Sequence, residues 1–256
     1  MDKKNLVTSS VLMLLLLAFI TGCYMEPCCY DPTKDQEIRF PSNVGVFGDR
    51  RIYSFDPNTI LTALDQSDGT IFQPLSDFQG PVFPSGTFPW RQQDYLKIAN
   101  ALNKFAIQDS LEGWMLYDVH SFRDCSDDPV GLDNFFITYF KIDGDRYIAR
   151  AIEIWPLSKE AYLGVDMSFP RPFPIGWTDW HSLPDLKSLK VTADEALQIA
   201  DANGGKVFRQ TVNNECSIFV SLGDSWYVTY SPNGSGISFR VSIDLYSGEY
   251  RITSDK

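Results

Sequence analysis

The chain repeats part of its own sequence, and this repetition constrains its fold more than any other feature. The stretch from Cys216 to Glu249 resembles an earlier one at a constant offset of 91 positions, with no gap needed between Asp124 and Trp155. The corresponding segments are Cys216 and Cys125, then 226–230 (WYVTY) and 135–139 (FFITY), then 243–246 (IDLY) and 152–155 (IEIW). Because these segments are rich in β-branched and aromatic residues, each copy is predicted to contain strands.

Each copy is also preceded by an amphipathic helix. In the first copy, Tyr95, Ala99, Leu102 and Ala106 recur at helical spacing and predict a helix over about 90–106.

The second helix is expected to begin at the capping box 192–195 (TADE) and to end at Gly204-Gly205. It corresponds to the first helix at an offset of 101, so the first copy holds ten additional residues between its helix and Cys125. The expected fold is therefore α+β, with two tandem repeats that each pack one helix on an antiparallel sheet of about three strands.

Three strand-like runs are predicted in each copy. They cover 114–122, 134–142 and 146–155 in the first copy, and 216–222, 225–230 and 237–245 in the second. Asp143-Gly144-Asp145 is typical of a hairpin turn. It also resembles the start of a calcium loop, but the later ligands of such a loop are absent from the sequence, so no metal site is predicted.

The N-terminus carries the signals of an exported protein. Asp2-Lys3-Lys4 is followed by ten apolar residues at 11–20, fewer than the roughly 20 needed to span a bilayer, which favours a cleaved signal peptide. The segment Ile20-Thr21-Gly22-Cys23 resembles the lipobox of bacterial lipoproteins. That resemblance implies cleavage before Cys23, a diacylglyceryl thioether on its thiol and acyl chains such as palmitate that hold the protein at the membrane.

Four further cysteines face a compartment that permits disulfides. If the two repeats pack about a pseudo-two-fold axis, equivalent residues near that axis meet, which favours a bond between Cys125 and Cys216. Two separately buried thiols are the alternative. Cys28 and Cys29 could form a vicinal disulfide, link to another chain or stay free, and their spacings match no zinc pattern.

The expected domain organisation follows from these features. It comprises a signal peptide (1–22), a tether (23–40), an irregular segment that packs on the globule (41–88), the first repeat (89–165), a linker (166–189) and the second repeat (190–256). The linker is rich in Pro and aromatic residues, which favours a stiff connector whose rings pack back on the repeats. The alternative is a binding role, in which the linker is an exposed aromatic strip and Trp177 and Trp180 stack against a sugar or peptide. His181, beside them, lacks a nearby nucleophile motif.

Residues 190–252 resemble the PepSY family of small extracytoplasmic modules. The resemblance rests on the helix 194–200 (DEALQIA) and on the ending 243–249 (IDLYSGE); the first copy has Glu153 in place of Asp244 and lacks the Gly-Glu pair. It implies a cystatin-like helix on a sheet, a role in restraining or regulating peptidases, and no catalytic residues. In such an ending, Asp244 is expected to accept local backbone N–H bonds and Gly248 to adopt positive φ.

The charge balance narrows the function further. With 33 carboxylates against 22 Lys and Arg, and a net charge of −11, the chain lacks the basic clusters that bind a phosphate backbone, so nucleic acid is excluded as a partner. We therefore expect a membrane-anchored extracytoplasmic lipoprotein that binds another envelope protein or a secreted peptidase and regulates it. The alternatives are a lipoprotein that binds a small glycan or peptide and a structural spacer in an envelope complex.

No enzymatic activity and no cofactor are expected. The sequence has no nucleophile, metal or phosphate-binding motif, and no spacing singles out a pair among its 33 carboxylates for acid–base catalysis.

Overall fold

Ten antiparallel strands form one continuous sheet in the computed structural model, which describes residues 50–66, 71–76, 89–108, 111–125, 131–171, 181–233 and 236–253. The strands are β1 (Arg50–Ser54), β2 (Gln73–Leu75), β3 (Met115–Asp124), β4 (Phe135–Asp143), β5 (Arg146–Trp155), β6 (Glu160–Pro170), β7 (Cys216–Leu222), β8 (Trp226–Pro232), β9 (Phe239–Ile243) and β10 (Tyr250–Ile252). Their order across the sheet is β10-β9-β8-β7-β3-β4-β5-β6-β1-β2.

Four α-helices accompany the sheet among the described residues. They are α1 (Ile60–Asp65), α2 (Gln92–Ile107), α3 (Ala193–Ala200) and α4 (Lys206–Thr211), and a 3-10 turn covers Leu186–Ser188. The chain passes from α3 to α4 through a wide turn in which Gly204 has a φ of 120°. A side chain at Gly205 would collide with the ring of Tyr230, so this turn requires glycine at its close approach to the sheet. None of the described helices is long and apolar enough to cross a membrane.

The expectation of two separate helix-on-sheet repeats is wrong. Strands β3 and β7 pair from His120 opposite Ser221 to Asp124 opposite Ser217, so the two stretches share one sheet. One core cluster contains buried residues of both α2 and α3. The physical reason is that two three-stranded sheets would each leave an edge of unpaired N–H and C=O groups, which pairing between β3 and β7 satisfies.

The sequence repetition maps onto strands on either side of the β3–β7 pair. In β4 and β8 the corresponding residues are Phe136 and Tyr227, which are 91 positions apart. Phe136 lies opposite His120 of β3, and Tyr227 lies opposite Ser221 of β7. Because His120 and Ser221 are 101 positions apart, β3 and β7 correspond at the offset of the helices, and the ten additional residues fall in the connection after β3.

The side of the sheet that packs against the helices is called here the covered face. Its residues alternate along each strand, as in β7, where Cys216, Ile218, Val220 and Leu222 are buried. Trp226 of β8 is fully buried on this face, and its indole N–H donates to the carbonyl of Val191 at 2.8 Å.

The N-termini of α2 and α3 meet and satisfy each other's free N–H groups. The backbone N–H of Gln92 donates to Oδ1 of Asp194 at 3.1 Å, and the N–H of Ala193 donates to the side-chain Oε1 of Gln92 at 2.8 Å. Both side chains are buried. This exchange places a carboxylate where the positive ends of two helix dipoles converge, which stabilises the contact.

The first predicted helix and the start of the second agree with the structure. The predicted end of the second at Gly204-Gly205 is wrong, because α3 ends at Ala200 and α4 follows Gly205 directly. The helix expected at 90–106 is α2, and the capping box of α3 forms as predicted, since the Glu195 carboxylate accepts from the Thr192 N–H at 2.8 Å.

Four strands were not predicted. Strand β10 follows the last predicted run. Strand β6 extends to Pro170 within the predicted linker, and β1 and β2, from the segment expected to be irregular, add to the sheet beyond β6.

Candidate functional site

The side of the sheet opposite the helices is called here the open face. Alternate residues of β3, β4, β5 and β7 point to this side, and the described helices pack on the other side. One region of the open face is filled by a small buried cluster of Phe140 and Tyr147, with Met115, Tyr117 and Phe169 packed around it. A second apolar region lies nearer the β3–β7 pair and remains partly exposed.

This second region, the outer aromatic cluster, consists of His120, Phe122, Phe136, Trp155 and Phe219. The His120 ring stacks on Phe136 at 4.5 Å and lies 5.5 Å from Phe219, while Phe122 lies 4.8 Å from Phe219 and Trp155 meets Phe136 edge-on at 5.1 Å. Phe122 is 38% exposed. His120, Phe136 and Phe219 are half-buried, and Trp155 is buried beside Phe136. Three strands, β3, β4 and β7, therefore contribute rings to a partly exposed apolar patch, a feature that often marks a recognition site on a soluble protein.

A β-bulge in β3 sets the polar side of this cluster. The register with β4 shifts between Leu116 and Asp118, so Tyr117 and Asp118 both reach the open face. Asp118 Oδ2 lies 2.7 Å from Nδ1 of His120. Because an ionised carboxylate can only accept, this bond places the ring proton on Nδ1 and fixes the imidazole against Phe136.

A cavity of about 320 Å³ opens beside the cluster, where β3 ends and β7 begins, and is called here the rim cavity. Phe122 and Trp155 form apolar walls. Its principal polar lining residues are Arg123, Asp124, Asp133, Ser217 and Asn233.

Buried hydrogen bonds hold the cavity wall in place. The side chain of Asn134 accepts from the Phe122 N–H at 2.8 Å and donates to the Phe122 carbonyl at 3.0 Å, so it replaces a strand partner. The Arg123 guanidinium is buried, donates to the carbonyl of Gly131 at 2.8 Å and lies 4.0 Å from the Asp133 carboxylate. These contacts fix Phe122 and Arg123 before any ligand arrives.

The predicted bond between Cys125 and Cys216 is confirmed, and Cys216 lines the cavity. The two Cα atoms are 5.2 Å apart, and the Cys125 N–H donates to the Cys216 carbonyl at 3.0 Å. The reasoning behind the prediction was wrong, because the two residues are direct neighbours across the β3–β7 ladder and do not occupy equivalent positions. Arg209 extends the link to α4 by donating to the Cys125 carbonyl at 3.2 Å and to the Asp201 carboxylate.

The other predicted site residues are placed as follows. Cys23, Cys28, Cys29, Trp177 and Trp180 lie outside the described residues. His181 is exposed and lies apart from the rim cavity lining.

The turn features that the PepSY resemblance implied are confirmed. Oδ1 of Asp244 accepts from the N–H groups of Ser247 at 2.7 Å and Tyr246 at 3.0 Å, and Gly248 has a φ of 75°. These bonds, with that of Ser247 foremost, lower the pKa of the Asp244 carboxyl below its ordinary value of 3.8. The arrangement is a local turn and forms no ligand site.

Sequence reasoning missed the outer aromatic cluster. The signal was present as the alternation of Asp118, His120 and Phe122 along the predicted strand 114–122, but alternation alone does not tell which face is covered. The described residues include no group of three or more His, Cys, Asp and Glu side chains placed to hold a metal ion.

The fold and site define a protein of mostly antiparallel β-structure, with a helix-covered core and an aromatic cluster on its open face. No protein-family model and no curated protein matches the chain. A solved structure of a candidate lipoprotein from Clostridium difficile 630 is similar at 12% identity and a TM-score of 0.31, covering 67% of this chain and 97% of that one. That likeness is too weak to define a fold.

Proposed function

We propose that the protein is a membrane-anchored extracytoplasmic lipoprotein that binds another envelope protein through the open face. The observation that carries this proposal is the outer aromatic cluster, which presents partly exposed rings from three strands on a side of the sheet without a described helix. Clusters of aromatic side chains at the centre of a surface are the usual energetic hot spots of protein interfaces. The anchor is supplied by Cys23, on the strength of the lipobox.

The charges around the cluster favour a basic partner surface. Asp118, Asp124 and Glu153 frame the rings, and the described outward positions of β3, β4, β5 and β7 hold no Lys or Arg. Arg240 of β9 lies on the same face, where it donates to the Thr229 hydroxyl at 3.1 Å. A partner with Lys or Arg residues would meet carboxylates at the rim and aromatic faces at the centre, where cations bind favourably. We propose an exported peptidase or another envelope protein of this character as the partner.

The test is capture of partners from envelope extracts by the full-length protein and two charged variants. Phe219→Asp places a carboxylate within the cluster and should abolish capture, since a buried, unpaired charge at an interface core is strongly unfavourable. Val207→Asp is the matched control, because Val207 lies on α4, on the other side of the sheet, and is 63% exposed, so a carboxylate is tolerated there.

Support requires one protein that is retained by the wild type and by Val207→Asp, is lost with Phe219→Asp, and is bound less tightly as the salt concentration rises. If the captured protein is a peptidase, its activity is compared with and without the lipoprotein. Equal capture by both variants, or capture that does not respond to salt, would contradict binding through the open face.

A further inference from the structure

We propose that the rim cavity binds one neutral sugar unit, either free or at the end of a glycan chain. This activity does not rest on the proposed partner binding, although the two surfaces share the Phe122 ring. Four properties of the cavity support this proposal: its walls, its hydrogen-bonding groups, its charge and its rigidity.

The walls suit the apolar side of a sugar ring. Phe122 and Trp155 both line the cavity, and the Phe122 ring stays 38% exposed at its mouth. A pyranose presents C–H groups on its faces, which pack on aromatic rings, while its hydroxyl groups point outward around the ring edge. A cavity of about 320 Å³ is near the lower end of the ~300–1,000 Å³ typical of ligand sites, which favours a small ligand over a long chain.

The polar groups offer both donors and acceptors. The carboxylates of Asp124 and Asp133 accept, the amide of Asn233 and the hydroxyl of Ser217 do both, and the Arg123 guanidinium only donates. A hydroxyl group also donates and accepts, so a ligand with several hydroxyls can use this mixed set. A ligand with only donors or only acceptors would leave part of the lining without a match, which is costly in a partly dry site.

The charges of the lining exclude strongly charged ligands. Two carboxylates and one guanidinium line the cavity, a net charge of −1, and the Arg123 guanidinium lies 4.0 Å from the Asp133 carboxylate. An anionic ligand would meet the Asp124 carboxylate, and a cationic one would meet the buried guanidinium. A neutral ligand pays neither cost.

The cavity is also rigid, which reduces the entropy lost on binding. Asn134 clamps the backbone of Phe122 through two hydrogen bonds, and the disulfide fixes Cys216 next to Ser217. Rigid walls of this kind allow a ligand with few contacts to bind measurably.

The experiment is titration of the full-length protein with glucose, N-acetylglucosamine and cellobiose, followed by calorimetry and by NMR shifts of the Ser217 and Asn233 amides. Glucuronate and glucosamine serve as charged comparisons. We expect at least one neutral sugar to bind at about 10 mM or below and at least about tenfold more tightly than its charged analogue. Stronger binding of cellobiose than of glucose would identify a chain end as the source, and equal binding would identify the free sugar.

Variants then locate the site and separate it from partner binding. Phe122→Ala and Asn233→Ala should each weaken sugar binding about tenfold or more, while Phe219→Ala, in the cluster but outside the cavity lining, should change it less than about twofold. Asn233→Ala should leave partner capture intact. Absence of binding by every neutral sugar, or binding that survives both cavity variants in folded protein, would overturn the proposal and leave the partner proposal standing.

Discussion

Phe135 and Phe136 are neighbours in the sequence, yet they serve opposite faces of the sheet. Phe135 is fully buried on the covered face and stacks on Tyr95 of α2, with ring centroids 5.3 Å apart and planes at 23°. Phe136 is on the open face and stacks on His120, with centroids 4.5 Å apart and planes at 15°. The two contacts have similar geometry, so the difference between core and surface arises from strand alternation and from what covers each face.

The two faces also treat polar groups differently. On the covered face, the Tyr95 hydroxyl donates to the carbonyl of Leu132, and burial raises the pKa of this phenol well above its usual value. On the open face, Asp118 orients His120 while both residues stay within reach of solvent. Polar groups on the covered face therefore complete the core, and those on the open face remain available to a partner.

The largest effect expected from this comparison is on stability. Phe135→Ala should lower the free energy of unfolding by about 3–5 kcal/mol, because it removes a fully buried ring and leaves a cavity. Phe136→Ala, on the open face, should cost about 1 kcal/mol and instead weaken partner capture. Urea unfolding followed by circular dichroism measures both. Equal losses for the two variants would show that the open face is covered in solution.

Removal of the disulfide tests how much the link between β3 and β7 contributes to stability. Replacing both Cys125 and Cys216 by Ala should lower the free energy of unfolding by about 2–4 kcal/mol, since the bond closes a long loop in the unfolded chain. The hydrogen bonds of the β3–β7 ladder do not involve the disulfide, so we expect the ladder to persist in the folded variant. Partner capture should therefore persist as well.

Hydrogen exchange shows whether the loss of stability is confined to the strands near the missing disulfide or is spread over the whole sheet. Amides of β3 and β7 near the missing bond should exchange faster than those of β8 and β9 if the ladder opens at its end. Uniform acceleration across the sheet would mean that the bond stabilises the whole domain and has no special role at the β3–β7 boundary.

The sequence was sufficient to locate most strands and both long helices, because their signals are local. The run 146–155 was predicted to its ends as β5, and 216–222 as β7. The pairing of β3 with β7 was not predicted, because the sequence of a strand does not specify which strand pairs with it. The alternation of His120 and Phe122 predicts a strand but not its neighbour. Two similar stretches therefore suggested two units where the molecule has one sheet.

The candidate site was missed for the same reason. Its rings come from four strands and become neighbours only when β7 joins β3, which brings Phe219 to Phe122. Turn chemistry was easier to predict, because the contacts of Asp244 lie within five residues of it in the chain.

The smallest expected effect on stability comes from the Asp244 turn, which lies on neither face of the sheet. The backbone N–H groups of Ser247 and Tyr246 hold the pKa of Asp244 below 3.8 in the folded protein. In the unfolded chain those bonds are absent, so the carboxylate adds stability at pH above about 4 and this contribution is lost as the pH falls through the lowered, folded-state pKa. The acid-induced fall in the urea midpoint below pH ~4 should therefore be shallower in Asp244→Asn than in the wild type.

Ser247→Ala tests how much of the Asp244 pKa depression comes from the Ser247 side chain. It removes the hydroxyl that donates to Asp244 at 2.9 Å but keeps both backbone donors, so NMR titration should show a smaller pKa depression that still lies below the ordinary value. Loss of the whole depression in Ser247→Ala would assign it to the side chain and not to the turn backbone. Retention of the wild-type acid slope in Asp244→Asn would mean that exposure to solvent cancels the turn's contribution to stability.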